Sequence, residues 1–110
     1  MLTGDLLRGH TDAIILSILH RADDYGYHIN LLISEISKGT FNLTEATMYT
    51  SLKRLEKNLF IIPYWMDGIN TKRKYYSITD LGVRYLKEHN LAWENARTII
   101  DKFMEEVNDK

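Results

Sequence analysis

Between Thr44 and Thr79 the hydrophobic repeat changes period, and this change restricts the fold more than any other feature of the 110 residues. Met48, Leu52, Leu55 and Leu59 recur at helical spacing, which predicts a helix from about Thr44 to Asn58 with one buried stripe. Directly after it come IIPYWM at 61–66 and RKYYSI at 73–78. Both are rich in β-branched and aromatic residues, as strands are. Asp67-Gly68 opens the turn between them, and the connection to Lys72 is longer than a tight hairpin needs, so it should project. Pro63 has no N–H to give a ladder, which places its strand at a sheet edge. Thr44 is the expected N-cap of the helix, with a capping box from Asn42 to Glu45 as a competitor.

The face opposite the apolar stripe holds Ala46, Thr50, Lys53 and Lys57, flanked by Thr47, Tyr49 and Arg54. Small and hydroxyl-bearing residues allow close approach to base edges, and cations can meet phosphates. Taken alone, such a face is equally an ordinary solvated surface. Charge distribution separates the two cases. Residues 45–79 hold six cations (Lys53, Arg54, Lys57, Lys72, Arg73, Lys74) against three anions, while the segments on either side are each net negative. The whole chain is only -1. A positive face on a neutral body suits one-sided contact with nucleic acid.

Upstream, TDAIILSILHRA at 11–22 reads as a helix capped by Thr11 or Asp12, with apolar residues on more than one stripe. A lone small domain rarely covers a helix so fully, which hints at a second subunit. Asp23-Asp24 breaks it. A second helix should run from Tyr25 to about Ser37 and bury Ile29, Leu32, Ile33 and Ile36, with Gly39 as a left-handed C-terminal cap. Helix, helix, then a basic hairpin is the order of a winged helix-turn-helix. The fold class expected is α+β, mostly α.

After Thr79-Asp80, a cap, one long helix is expected to about Asn108. Gly82, Leu86, His89, Trp93, Ala96, Ile100, Phe103 and Val107 alternate spacings of four and three, the seam of a coiled-coil-like contact. At 1.5 Å per residue this helix is roughly 45 Å long and outruns its own domain. A homodimer related by a two-fold axis is the natural arrangement. Ile99 and Met104 lie off the seam and could meet the first helix of the partner. Residues 1–78 thus form the expected DNA-binding domain and 79–110 the dimerisation helix.

No apolar run reaches membrane-spanning length, and MLTGDLLRGH lacks a signal-peptide pattern, so a cytoplasmic location is expected. Zero cysteines exclude disulfides and thiolate chemistry. His10, His20, His28 and His89 show no metal-ligand spacing, and no phosphate loop or nucleophile elbow is present. Neither an enzyme nor a cofactor or metal is expected.

Three stretches resemble one family, the PadR-type transcriptional regulators. Tyr25-Gly26-Tyr27-His28-Ile29 is similar to the opening of that family's second helix. Thr44-Glu45-Ala46-Thr47-Met48-Tyr49 with Leu52-Lys53-Arg54-Leu55-Glu56 resembles its recognition helix. Arg73-Lys74-Tyr75-Tyr76-Ser77-Ile78-Thr79, followed by Gly82, resembles its second wing strand and dimerisation helix. The likeness spans nearly the whole chain and points to the short subfamily with one C-terminal helix. It departs at Thr50, where many members have proline. The resemblance implies a homodimeric repressor on double-stranded DNA with a palindromic operator, released by a small molecule. Leu91-Ala92-Trp93-Glu94 further resembles the tryptophan region of multidrug-sensing members, in which paired tryptophans sandwich planar aromatic ligands.

The residues expected to contact DNA are Thr47, Tyr49, Thr50, Lys53, Arg54, Lys72, Arg73 and Lys74. Those expected in the seam are Leu86, His89, Trp93, Ala96, Ile100, Phe103 and Val107. Trp93 either fills the interface or binds ligand, with Ala92, Ala96, Leu16 and Asp101 as candidate pocket walls. A winged-helix module that binds protein rather than DNA is the alternative to the whole reading.

Overall fold

The computed structural model describes residues 2–108. Residues 1, 109 and 110, which the two expected domain ranges include, lie outside the described residues. Helices α1 (Leu2–Arg8), α2 (Thr11–Arg21) and α3 (Gly26–Ile36) precede α4 (Glu45–Lys57). A short strand β1 (Asp24–Tyr25) sits between α2 and α3. The hairpin β2 (Ile61–Asp67) and β3 (Lys72–Ile78) follows α4, and α5 (Asp80–Asn108) closes the chain. The antiparallel sheet has the order β1-β3-β2. This is the expected mostly helical winged helix with a long C-terminal helix.

The core joins Ile15, Leu16 and Leu19 of α2, Ile29 and Ile33 of α3, Met48, Leu52 and Leu55 of α4, Ile61 of β2 and Tyr76 of β3. Each large aliphatic residue buried there contributes about 1.5–3 kcal/mol. The entry to α4 is clamped to this core by Asn30. Its Nδ2 donates to the Leu43 carbonyl at 2.6 Å and its Oδ1 accepts from the Leu43 N–H at 3.2 Å. Thr44 then caps α4, accepting from the Thr47 N–H at 3.1 Å. Orientation of α4 is thereby set from both its buried face and its first turn.

Several expectations need correction. Helix α1 was not anticipated, and it removes the expected cap on α2. The N-cap is His10, without a side-chain bond, and the Thr11 hydroxyl instead donates to the Arg8 carbonyl at 2.9 Å. The heavy burial of α2 is achieved by its own chain, so it says nothing of a second copy. Asp23-Asp24 does follow the end of α2 at Arg21, but Tyr25, expected to open the next helix, instead joins Asp24 in a third strand that pairs with Tyr76 and Tyr75, and α3 starts at Gly26. Two residues carry no period by which a strand could be recognised. Ile36 and Leu59 are exposed. Ile36 is the last residue of its helix, and Leu59 lies past the end of α4 with φ +62°.

Gly82 is also displaced from its expected role. It is buried at the root of α5 against the Phe60 backbone and not in a seam. A Cβ there would overlap the Phe60 carbonyl oxygen and lie 2.8 Å from Ile78 Cγ1. In an open helix Gly→Ala gains up to about 1 kcal/mol. At Gly82 the backbone overlap should reverse the sign, for a net loss of about 1–3 kcal/mol. Thermal unfolding should show the Gly82→Ala midpoint lowered by roughly 4–8 °C for each kcal/mol of destabilisation. Gly4→Ala in α1, where nothing lies within 4 Å of the new methyl, should be neutral or slightly stabilising.

Candidate nucleic-acid interface

The outer face of α4 follows from the stripe that anchors it. With Met48, Ser51, Leu52 and Leu55 buried, Ala46, Thr47, Tyr49, Thr50, Lys53, Arg54 and Lys57 all lie toward solvent. The hydroxyls near its start are already held. Thr44 Oγ1 donates to Thr47 Oγ1 at 3.0 Å, and Thr50 Oγ1 donates to the Ala46 carbonyl at 2.9 Å. Both threonine oxygens keep acceptor capacity toward solvent. One turn on, the Lys53 ammonium lies 5.5 Å from the centre of the Tyr49 ring.

The remaining cations divide into tethered and free groups. Arg54 forms a two-pronged pair with Asp12 of α2, Nε to Oδ2 at 2.7 Å and Nη2 to Oδ1 at 2.8 Å. The hydrogen bonds and charge of Asp12 push the Arg54 pKa above its ordinary value. Arg54 is therefore fastened along the α2–α4 contact. Lys74 Nζ lies 3.6 Å from Glu56 Oε1, a charge pair too long for a good hydrogen bond. The Arg73 guanidinium covers the Tyr25 ring at 4.7 Å. Among the described residues, Lys53, Lys57 and Lys72 make no ion pair. Free cations gain most from a phosphate, since no internal partner must be given up.

The hairpin is braced from the body by groups invisible to sequence spacing. Asp24 is buried; its Oδ1 accepts from the Tyr25 N–H at 2.8 Å and its Oδ2 bonds His28 Nδ1 at 2.6 Å. The His28 ring stacks on Tyr25, Tyr25 tilts against Tyr75, and Tyr75 stacks on Tyr64. The Tyr64 hydroxyl donates to Asp23 Oδ2 at 2.7 Å, and this bond pushes its pKa up to about 12. Burial also raises the Tyr76 pKa. Only the clustering of Asp, Tyr and His at 23–28 could have suggested the brace.

Trp93 lies apart from this face. A groove of about 700 Å³ runs between α1, α2 and α5, lined by Leu6, Leu7, His10, Ala13, Ile14, Leu86, His89 and Trp93, with Lys87 among its polar residues. The His10 ring meets Trp93 edge-on at 4.8 Å and His89 at 5.1 Å. Sequence spacing gives His10 no metal-ligand role and no sign of this contact with Trp93. Of the expected pocket walls, Leu16 is wholly buried in the core, while Ala92, Ala96 and Asp101 are exposed and outside the groove lining. Leu86 packs partly on its own core. Beyond it Trp93, Ala96, Ile99, Ile100, Phe103, Met104 and Val107 are exposed on α5. The described residues include no cluster able to hold a metal ion and no helix long and apolar enough to cross a membrane.

Comparison with known proteins agrees with this geometry. The model of the transcriptional regulator PadR-like family matches residues 15–88. An uncharacterized protein of Lysinibacillus sphaericus is 44% identical over 106 residues, 96% of this chain and 97% of its own length. The structure of a transcriptional regulator from Clostridium thermocellum superposes with a TM-score of 0.85 at 38% identity, covering 92% of this chain and 99% of that one. That of a PadR family transcription regulator from hypervirulent Clostridium difficile gives 0.75 at 32% identity, covering 86% and 98%.

The tether between α2 and α4 is measurable. A double-mutant cycle of Asp12→Ala and Arg54→Ala should return a coupling of about 0.5–1 kcal/mol in denaturant unfolding, since the pair is bidentate but partly solvated. A coupling near zero would make the pair a surface contact without consequence for the placing of α4.

Proposed function

The chain belongs to the PadR-like family of transcriptional regulators, and from that membership we propose that it acts as a homodimeric repressor of a palindromic operator. In this reading α4 enters the major groove, with Thr47, Tyr49, Thr50 and Lys53 facing the bases and groove walls. Arg54 holds α4 in register on α2. Lys72, Arg73 and Lys74 place the wing on the backbone. Residues 79–110 pair the two copies, and residues 1–78 carry the DNA-binding surface.

The observation that carries the reading is the form of α5. Its 29 residues make a rod of about 43 Å. From Leu91 onward every described side chain through Val107 is exposed, including Trp93, Ile99, Ile100, Phe103, Met104 and Val107. A row of apolar side chains that long calls for a partner of similar form. The same rod in a second copy supplies it, with Ala96, Ile100, Phe103 and Val107 in the shared seam and His89 and Trp93 near the axis.

A small planar aromatic effector is proposed to bind beside Trp93, where the groove would be closed by the partner subunit. The groove lining holds Lys87 and two imidazoles but no carboxylate. That balance favours a neutral or anionic aromatic over a cationic one. Effector binding releases DNA only if the ligand binds more tightly to the arrangement of subunits that cannot span the operator.

Two measurements test the reading. The combined substitution Lys53→Ala, Lys72→Ala, Arg73→Ala should weaken binding to DNA from a randomised pool selected by the protein itself. It should also reduce the slope of log affinity against log salt by about 0.9 for each phosphate that is no longer neutralised. An unchanged slope would count against the interface, and failure of the protein to select any DNA would leave the protein-binding alternative. In a Trp65→Phe background, emission from Trp93 should be quenched by a planar aromatic carboxylate, roughly fivefold more tightly than by a cation of the same size, a difference of about 1 kcal/mol. No quenching by either probe would leave Trp93 as interface packing alone.

A further inference from the structure

The two imidazoles beside Trp93 have a capacity that charge balance alone does not describe, since the imidazole side chain exchanges its proton near neutral pH. His10 is fixed at the start of α2 through both of its backbone groups. Its N–H donates to the Leu7 carbonyl at 2.9 Å, and its carbonyl accepts from the Ile14 N–H at 2.8 Å. The half-buried His10 ring thereby faces α5, where it meets the half-buried ring of His89 at 5.1 Å and that of Trp93 at 4.8 Å. Two proton-exchanging groups and an indole thus share one wall of an otherwise apolar groove.

The elements around this pair supply no anion. From α1 the groove receives Leu6 and Leu7, while the charged Asp5 and Arg8 pair with each other and line a separate cavity. From α2 it receives Ala13, Ile14 and Ser17, and Asp12 is engaged by Arg54. From α5 come Leu86, Asn90 and one cation, Lys87, with the Tyr85 ring tilted against His89 at 6.4 Å. Among the described residues, the histidine bonded to a carboxylate is His28, against Asp24 on the hairpin side of the molecule. Two imidazolium charges so close together, with Lys87 beside them, repel each other. An anion entering the groove removes that obstacle and favours the protonated form.

Building on the effector reading above, we propose that His10 and His89 form a proton-coupled receptor for the carboxylate of an aromatic acid, which binds beside Trp93 together with one proton. The carboxylate enters as the anion, one imidazole takes a proton from solvent, and the other stays neutral and donates its single N–H. Ring centres 5.1 Å apart leave one carboxylate within reach of both, at about 2.8 Å from each nitrogen. Proton uptake on binding makes affinity rise as pH falls through the imidazole range, and level off once the free pair already holds a proton. An undissociated aromatic acid supplies both species, the anion and the proton, so the groove responds to the acid load rather than to the anion alone. An aromatic cation gains nothing from the pair.

Calorimetric titration of the intact protein with 2-naphthoate and with its uncharged amide, 2-naphthamide, isolates the proton. Between about pH 6.5 and 8.5 the Kd for naphthoate should rise by about fivefold to tenfold per pH unit, the slope for uptake of nearly one proton. Titrations in two buffers of unlike ionisation enthalpy should return the same proton count directly. Over that range the Kd for the amide should stay within about twofold. The double variant His10→Gln, His89→Gln keeps polar groups of similar shape but has no proton site, and should bind naphthoate with the flat profile of the amide. Lys87→Gln should weaken naphthoate and keep the slope, because the slope belongs to the imidazoles. The comparison of acid with amide is made in the unaltered protein and holds whether or not the double variant folds. A naphthoate slope no steeper than that of the amide, or a slope that survives in the folded double variant, would overturn the proton-coupled receptor and leave the effector reading intact. Binding of neither probe would overturn both readings together.

Discussion

Four segments of chain meet where Leu59-Phe60 lies against Thr79 and Gly82, and the spacing there admits no further methyl group. The Thr79 N–H donates to the Phe60 carbonyl at 3.0 Å, and the Thr79 hydroxyl donates to the Leu59 carbonyl at 2.7 Å. The same hydroxyl oxygen accepts from the Gly82 N–H at 3.0 Å, capping α5. Phe60 stacks on Tyr85 one turn further along. The end of α4, both roots of the hairpin and the start of α5 are thus fixed to one another. Any tilt of α5 must carry α4 with it, because close-packed contacts of this kind do not deform gradually. In the proposed dimer the junction would convert a change along α5 into a change in the spacing of two reading heads.

Rigidity in the rest of the interface comes from charges used internally. Asp12 with Arg54, Glu56 with Lys74, and Tyr25 beneath Arg73 each hold a cation at the seam between α4, the hairpin and the body. Partly solvated pairs of this sort add little stability. Their larger effect is to define where Lys53, Lys57 and Lys72 project. The positive excess between 45 and 79 is therefore less free than its count suggests, and its geometry matters more than its size.

The helix α4, the hairpin and α5 were legible because each repeats one period over many residues. The caps at Thr44 and Thr79 were legible too, although the same signal misleads at Thr11, whose hydroxyl donates to the Arg8 carbonyl. Helix α1 and strand β1 were not, because seven and two residues give too little period to read. At the candidate interface, exposure of the α4 residues followed from the stripe opposite them. The internal partners of Arg54, Arg73 and Lys74 did not, since those pairs lie far apart in sequence or on different elements. The pocket at Trp93 was read as walled by Ala92, Ala96 and Asp101 of its own helix and by Leu16. Its neighbours are His10 and His89, and His10 reaches Trp93 only because α1 and α2 turn back on α5.

By itself the sequence determined the order of α2, α3, α4, the hairpin and α5, the buried stripes of α3 and α4, and the confinement of positive charge to one segment. These follow from side-chain type and spacing, which act locally. Only the tertiary structure decided that Gly82 is a close-packing residue and not a seam position, that Leu16 belongs to the core and not to a pocket, and which cations are free. Those assignments depend on what stands across a contact, and a residue has no local sign of the neighbour that folding will bring to it.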